Sequence, residues 1–160
     1  MTVFPADLSN PSHAAGLIAV LDSYACEPAG GGEPLSDNTR NTLISALQAH
    51  PTTVVILAGE GEEIVGAAVC FLGFSTFQAR PLLNIHDLAV LPAWRGKGIG
   101  HQLLQAVESA ARERNCCKLT LEVLEQNTGA RRLYAAMGFT DYELGEPMVT
   151  HFLSKSLSDS

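Results

Sequence analysis

Between Ile85 and Gly100 the chain reads I-H-D-L-A-V-L-P-A-W-R-G-K-G-I-G, an apolar run stopped by a proline and followed by glycines at alternate positions. Ile85 to Leu91 is β-prone enough to sit in a sheet, and Pro92 ends the pairing because it has no N–H for a ladder. Gly96, Gly98 and Gly100 then lead directly into an amphipathic run from His101 onward. Glycine admits positive φ and close approach of a ligand, so successive N–H groups can converge on an anion at the first turn of a helix, where the dipole also favours negative charge. A strand, a phosphate cradle and a helix in that order call for an α/β fold.

Other phosphate-binding turns do not fit. A P-loop needs G-x-x-x-x-G-K-[ST], and Lys97 is followed by Gly98 rather than by a hydroxyl residue. A dinucleotide turn needs G-x-G-x-x-G; counted from Gly96 the last position is His101, and counted from Gly98 it is Leu103. What remains is R-x-x-G-x-G in Arg95, Gly98 and Gly100, after a strand of the type H-D-L-A-V-x-P. Downstream, Asn127, Ala130, Tyr134, Gly138 and Phe139 meet the pattern N-x-x-A-x-x-x-Y-x-x-x-G-F. The two patterns together, one helix and one strand apart, resemble the acetyl-CoA-binding and following segments of the GNAT family of N-acetyltransferases, over roughly Thr53 to Leu144.

The resemblance implies an α/β GNAT fold. Its central sheet is mixed and mostly antiparallel, of about seven strands flanked by about four helices, with strands splayed at the acetyl-CoA site. It further implies that backbone groups of Leu88, Ala89 and Val90 hold the pantetheine arm in the manner of an added strand. Arg95, Gly96, Lys97, Gly98, Ile99 and Gly100 would hold the pyrophosphate, Asn127 would bond the arm, and Tyr134 would protonate the departing sulfur. On residue pattern alone, Asn127 or Thr128 is equally a helix cap, and Tyr134 shares a helix face with Ala130 and Met137 as a core aromatic does.

Acyl transfer to an amine also needs a proton acceptor. Polyamine acetyltransferases of the family carry Glu-Asp where this chain has His86-Asp87, so His86 stands at the place of the proposed base, and an imidazole titrates close enough to neutrality to serve; on the residues alone it is equally a strand histidine that bonds a neighbour. Asp87 is an acceptor-site anion or a structural partner. Glu122 alternates away from Leu121 and Val123 and points either to the cleft or to solvent.

At 160 residues the chain has the length of one domain, spanning 1–160. No apolar run approaches the ~18 residues of a membrane span, and M-T-V-F-P-A-D lacks the basic start and apolar core of a signal peptide. A cytoplasmic location with no membrane partner is therefore expected. The formal charge of −7 argues against nucleic acid and favours a cationic partner such as an amine. Cys26, Cys70, Cys116 and Cys117 form no C-x-x-C and have no histidine at ligand spacing, so reduced thiols and no metal are expected.

In order, the pattern predicts a strand over Thr2 to Pro5 and a helix from the Asn10-Pro11 cap to about Tyr24. A loop follows over Glu27 to Pro34, either a mobile lip at the acceptor site or a plain linker, and then a helix capped by Ser36 or Asp37 and ending before Pro51. Thr53 to Ala58 and Ile64 to Phe74 read as a hairpin around Gly59 to Glu63. Phe74 to Arg80 reads as a link to the central strand. His101 to Arg114 predicts a helix packed behind the turn, Lys118 to Leu124 a strand, and Thr128 to Met137 a helix with Gly138 at its C′ position. Thr140 to Leu144 and Val149 to Leu157 read as closing strands.

The expected activity is transfer of acetyl from acetyl-CoA to a primary amine of a small molecule, directly and in a ternary complex. A protein N-terminus or lysine is the competing acceptor, and a non-catalytic acyl-CoA-binding module the competing class. A homodimer is compatible with this reading.

Overall fold

The computed structural model describes residues 1–141 and 151–157. Its elements in order are β1 (Thr2–Pro5), α1 (Pro11–Ala25), α2 (Asp37–Ala49), β2 (Thr53–Glu60), β3 (Glu63–Ser75), β4 (Arg80–Val90), α3 (Ile99–Glu113), β5 (Leu119–Leu121) and α4 (Thr128–Ala136). The strands form one sheet in the order β1-β2-β3-β4-β5. Neighbours are antiparallel up to β4, and β4 pairs β5 in parallel. This is the mixed, mostly antiparallel sheet that the sequence leads one to expect, with helices on both faces.

Local chemistry sets the helix starts. Asn10 Oδ1 accepts from Ser12 N–H at 2.9 Å with Pro11 in the first turn, and Ser36 Oγ accepts from Thr39 N–H at 3.1 Å, so Ser36 rather than Asp37 is the cap of α2. α3 opens at Ile99, earlier than the expected His101, because Gly98 takes the cap position with φ of 78°. Each such cap fixes where a helix enters the packed layers.

Val54 to Ala58 and Ile64 to Cys70 are buried without interruption, because helices cover both faces of these strands. On one face Ile99, Leu103, Leu104 and Val107 of α3 meet Ile56, Val65, Cys70, Leu83 and Ile85. On the other, Leu17 and Val20 of α1 and Leu47 of α2 meet Val55, Leu57, Ala67, Val69 and Ala89. Two helix layers thus clamp one sheet.

The sheet departs from the sequence reading in three places. Phe74 to Arg80 is not a link but the tip of a β3–β4 hairpin paired out to Ser75 and Arg80, with Ala79 at φ of 50° supplying the turn. β5 covers only Leu119–Leu121, so Glu122 to Leu124, expected in the strand, lie beyond it. The described part of the last expected strand, residues 151–157, is not in a strand, and its Phe152, Leu153 and Leu157 are exposed. Residues 142–150, which carry most of the strand expected over Thr140 to Leu144 and the start of the last one, lie outside the described residues. Five strands are therefore present among the described residues, against the expected seven.

Gly16 lets α1 lie on β3: a Cβ there would stand 2.3 Å from Ile64 Cγ1 and 2.4 Å from Ile64 Cβ. Alanine would gain up to about 1 kcal/mol of helix propensity, but the clash involves a branched Cβ that no rotamer change moves, so α1 must lift. Overpacking of this kind costs about 1–3 kcal/mol. Gly16→Ala is expected to lower the urea midpoint of unfolding at unchanged slope; a raised midpoint would show that α1 has slack.

Candidate active site at the parting of two strands

β4 and β5 pair only at Leu83–Leu119, Asn84–Thr120 and Ile85–Leu121. Asn84 Nδ2 ties the middle of this short ladder by donating to Thr120 Oγ1 at 3.0 Å. From His86 onward β4 has, among the described residues, only β3 as a strand partner. Leu91 N–H donates to Val65 O at 2.9 Å, and backbone groups in an antiparallel pair alternate sides; Ala89 therefore faces β3, while the N–H and C=O groups of Leu88 and Val90 face the gap. A cavity of about 920 Å³ opens there.

The cavity is lined by Leu88, Ala89 and Val90 of β4, by Trp94, Arg95, Gly96, Gly98, Ile99 and Gly100 of the turn, by Asn127, Ala130 and Tyr134 of the α4 region, and by Tyr24, Glu27 and Ala29 at the end of α1. Gly96 and Gly98 have φ of 74° and 78° with open space where a Cβ would project, and the first turn of α3 has no side-chain cap. Uncapped N–H groups at a helix start beside positive-φ glycines suit an anion. Gly100 serves packing: a Cβ there would come within 2.9 Å of Leu133 Cδ2 on α4.

Two cations expected to hold phosphate have protein partners. Lys97 Nζ stands 4.3 Å from the Trp94 ring centre, outside the cavity wall. Arg95 donates from Nε to Val90 O at 2.9 Å and pairs through Nη2 with the Glu27 carboxylate.

α4 is fixed at both ends by residues of the downstream pattern. Asn127 Oδ1 accepts from Ala130 N–H at 3.3 Å, so Asn127 and not Thr128 caps the helix while also facing the cavity. At the other end Gly138, φ 87°, sends its N–H to Ala135 O at 3.1 Å and Phe139 sends its own to Tyr134 O at 3.0 Å. This is a Schellman cap with its apolar contact supplied by the Tyr134 and Phe139 rings, 5.7 Å apart. Tyr134 is thereby held half-buried in the cavity wall, its hydroxyl pushed up to about 12 by burial and secondarily by Tyr24. It stays protonated at any working pH.

His86 is the extra residue of a β-bulge, since Val69 pairs Asp87 but the next residue, Cys70, pairs Ile85. It is exposed, with its ring edge-on to Phe71 at 5.7 Å. Asp87, half-buried on the α1 face, is lifted above the ordinary carboxylate range by burial, opposed by the charge of His86. Neither lines the cavity directly. Glu122 is exposed past the end of β5 and is not brought to this group.

Two wall residues escaped the sequence reading. Tyr24 reads as the last apolar position of α1, and Glu27 as the first residue of a loop. The Tyr24 hydroxyl is raised by burial and by the negative charges of Asp87 and Glu27, so it lies among the titratable groups of the site. The loop signal was present in Gly30, Gly31 and Gly32: a Cβ on Gly30 would stand 2.1 Å from Tyr24 O, and Gly31 and Gly32 have φ of 114° and 84°. These glycines are demanded by a formed turn, not by a slack linker.

All four cysteines are free thiols; Cys70 is fully buried and pushed up to about 12 by burial and then by Asp87, which leaves it protonated. Among the described residues no group of three His, Cys, Asp or Glu is placed to hold a metal ion, and no helix is long and apolar enough to cross a membrane.

The profile of the acetyltransferase (GNAT) family matches residues 18–139. The chain is 33% identical over 96 residues to a thialysine N-epsilon-acetyltransferase of Bos taurus, covering 58% of this chain and 56% of that protein. It is 38% identical over 91 residues to a streptothricin acetyltransferase of Streptomyces lavendulae, covering 57% and 46%. In both cases the match spans about half of the relative's length. Among solved structures, a probable acetyltransferase superposes with a TM-score of 0.79 at 20% identity over 97% of this chain and 100% of the other. An aminoglycoside acetyltransferase from an uncultured soil metagenomic sample superposes with a TM-score of 0.75 at 19% identity, over 97% and 95%. With the profile spanning most of the sequence and the whole fold superposing, the chain belongs to the acetyltransferase (GNAT) family.

Proposed function

We propose that the chain is an N-acetyltransferase that moves acetyl from acetyl-CoA to a primary amine of a small molecule by direct transfer. One observation carries this: the unpaired edge of β4, the uncapped glycine turn and Tyr134 all line one cavity. The named relatives act on thialysine and streptothricin, which supports a small amine over a protein acceptor.

Acetyl-CoA supplies the acyl group as a thioester. The N–H groups of Leu88 and Val90 bond the arm along the free edge and polarise the acetyl carbonyl, as an added strand would be held. Backbone N–H groups from Gly96 to Gly100 take the diphosphate at the α3 start. Asn127 bonds the arm, and Tyr134 gives its phenolic proton to the sulfur as the C–S bond breaks. The proton lost by the amine nitrogen passes to His86 or Asp87 on the α1 face of β4, directly or through water. Release of CoA thiol with a panel of thialysine, lysine, spermidine and an aminoglycoside tests the reading; no release with any of them, in a chain that binds CoA, would favour a binding module.

Acetyl-CoA should raise Tm, because a ligand that binds only the native state stabilises by RT ln(1 + [L]/Kd), and ATP or NAD should do far less. Gly98→Asn tolerates the left-handed backbone but projects a side chain over the turn, so it is expected to fold and lose the shift. Equal shifts with ATP and CoA would count against the cradle.

Tyr134→Phe is expected to keep CoA affinity and lower kcat by roughly 10²-fold, the scale of a lost general acid. An unchanged kcat would leave Tyr134 as a cap residue alone.

For wild type, kcat/KM should rise with pH through one ionisation and then flatten if His86 is the base. In His86→Ala that limb should vanish, leaving a slower reaction that climbs toward the amine's own ionisation, while His86→Glu restores part of the rate. A folded His86→Ala with the wild-type profile would pass the role to Asp87.

A further inference from the structure

Arg95 is a charged side chain that joins the turn to the α1 side of the cavity. Its Nε bonds Val90 O at the end of β4, and its Nη2 pairs with the Glu27 carboxylate. Glu27 is in turn the knot of the α1–α2 loop. Its N–H donates to Tyr24 O at 3.0 Å, and its C=O accepts from Gly30 N–H and Gly32 N–H, each at 2.9 Å. The far end of the loop is also fastened, since Asp22 Oδ1 accepts from Leu35 N–H at 2.8 Å and pairs with Arg40 at 3.1 Å. Tyr24 is thus carried on a wall anchored at both ends, and its attachment to the turn is this ion pair.

The charge arithmetic separates two roles for Arg95. As a diphosphate ligand its guanidinium would have to leave Glu27, and that carboxylate, whose side chain is 29% exposed, would be left beside an anion without a counter-charge. As a fastening it keeps both partners, and the N–H groups of the turn receive the diphosphate without it. We propose that Glu27 and Arg95 form a latch that positions Tyr24 and the α1–α2 loop as the acceptor wall. Arg95 is then a positioning residue rather than a phosphate ligand, and Glu27 sets the affinity for the amine. This rests on the cavity being an acyl-CoA and amine site.

The test compares Glu27→Gln, Arg95→Gln and the double variant. Hydrogen exchange of the Gly30 and Gly32 amides, read without substrates, should quicken about equally in all three. CoA affinity by calorimetry should stay within about twofold of wild type in each. With whichever of thialysine, lysine and spermidine the wild type acetylates, the amine KM should rise up to about fivefold, the scale of a half-exposed ion pair, with kcat less affected. The double variant should be no worse than either single one. Arg95→Gln weakening CoA tenfold or more while Glu27→Gln leaves it unchanged or tightens it would overturn the latch and return Arg95 to the diphosphate. Unchanged exchange at Gly30 and Gly32 would overturn it too. If the wild type acetylates none of the three amines, exchange and CoA affinity still decide the latch, and only the acetyltransferase reading is placed in question.

Discussion

The separation of β4 from β5 after Ile85 and Leu121 is the constraint on which the site depends. A central strand that loses its partner leaves N–H and C=O groups that cost about 1–3 kcal/mol each if buried unpaired, so the gap must be filled by protein, water or ligand. Arg95 Nε satisfies Val90 O; the remaining groups of Leu88 and Val90 face the cavity. What holds the gap open is the path of the chain after β5. It leaves the sheet at Glu122 and turns into α4, which sits close on α3 because Gly100 has no side chain to meet Leu133.

Seen this way, the residues that mark the family are mostly devices for ending and starting helices. Gly98 begins α3 without a side-chain cap, leaving N–H groups to the cavity; Asn127 begins α4; Gly138 and Phe139 end it. The spacing Y-x-x-x-G-F is the spacing of a Schellman cap, in which the apolar partner of the residue after the glycine is Tyr134 itself. Cap and proposed proton donor are the same residue, so the geometry of the hydroxyl is set by the termination of its own helix.

Most of this was legible because it is local. Turn glycines, cap residues and the apolar period of α3 lie within a few positions of what they determine, and those elements stand within two residues of where the sequence places them. The strand ends were less legible: β5 stops at Leu121 although Val123 and Leu124 are as apolar as the residues before them, because partnership with β4 ends there. Tyr24 and Glu27 were not legible as site residues, since their partners Asp87 and Arg95 are more than sixty positions away. The bulge at His86 is likewise a property of the pairing with β3, and nothing in the alternation of β4 alone announces it.

That bulge decides where protons can go in the proposed reaction. In an unbroken strand, Ile85 and Asp87 would share a face; with one extra residue, Ile85 stays with Cys70 on the α3 side while Asp87 joins Val69 on the α1 side, where His86 already packs on Phe71. Both titratable side chains of this stretch are thereby turned toward α1, and Leu88 returns to the α3 side. The two phenols cannot take a proton from an amine, because burial first, and neighbouring ionisable groups second, keep Tyr24 and Tyr134 protonated. Burial also lifts Asp87, and an arriving ammonium would oppose that lift and favour the carboxylate. The acid on α4 and the candidate bases on β4 then lie on opposite sides of one strand, so the proton given to sulfur and the proton taken from nitrogen need not travel through the same group.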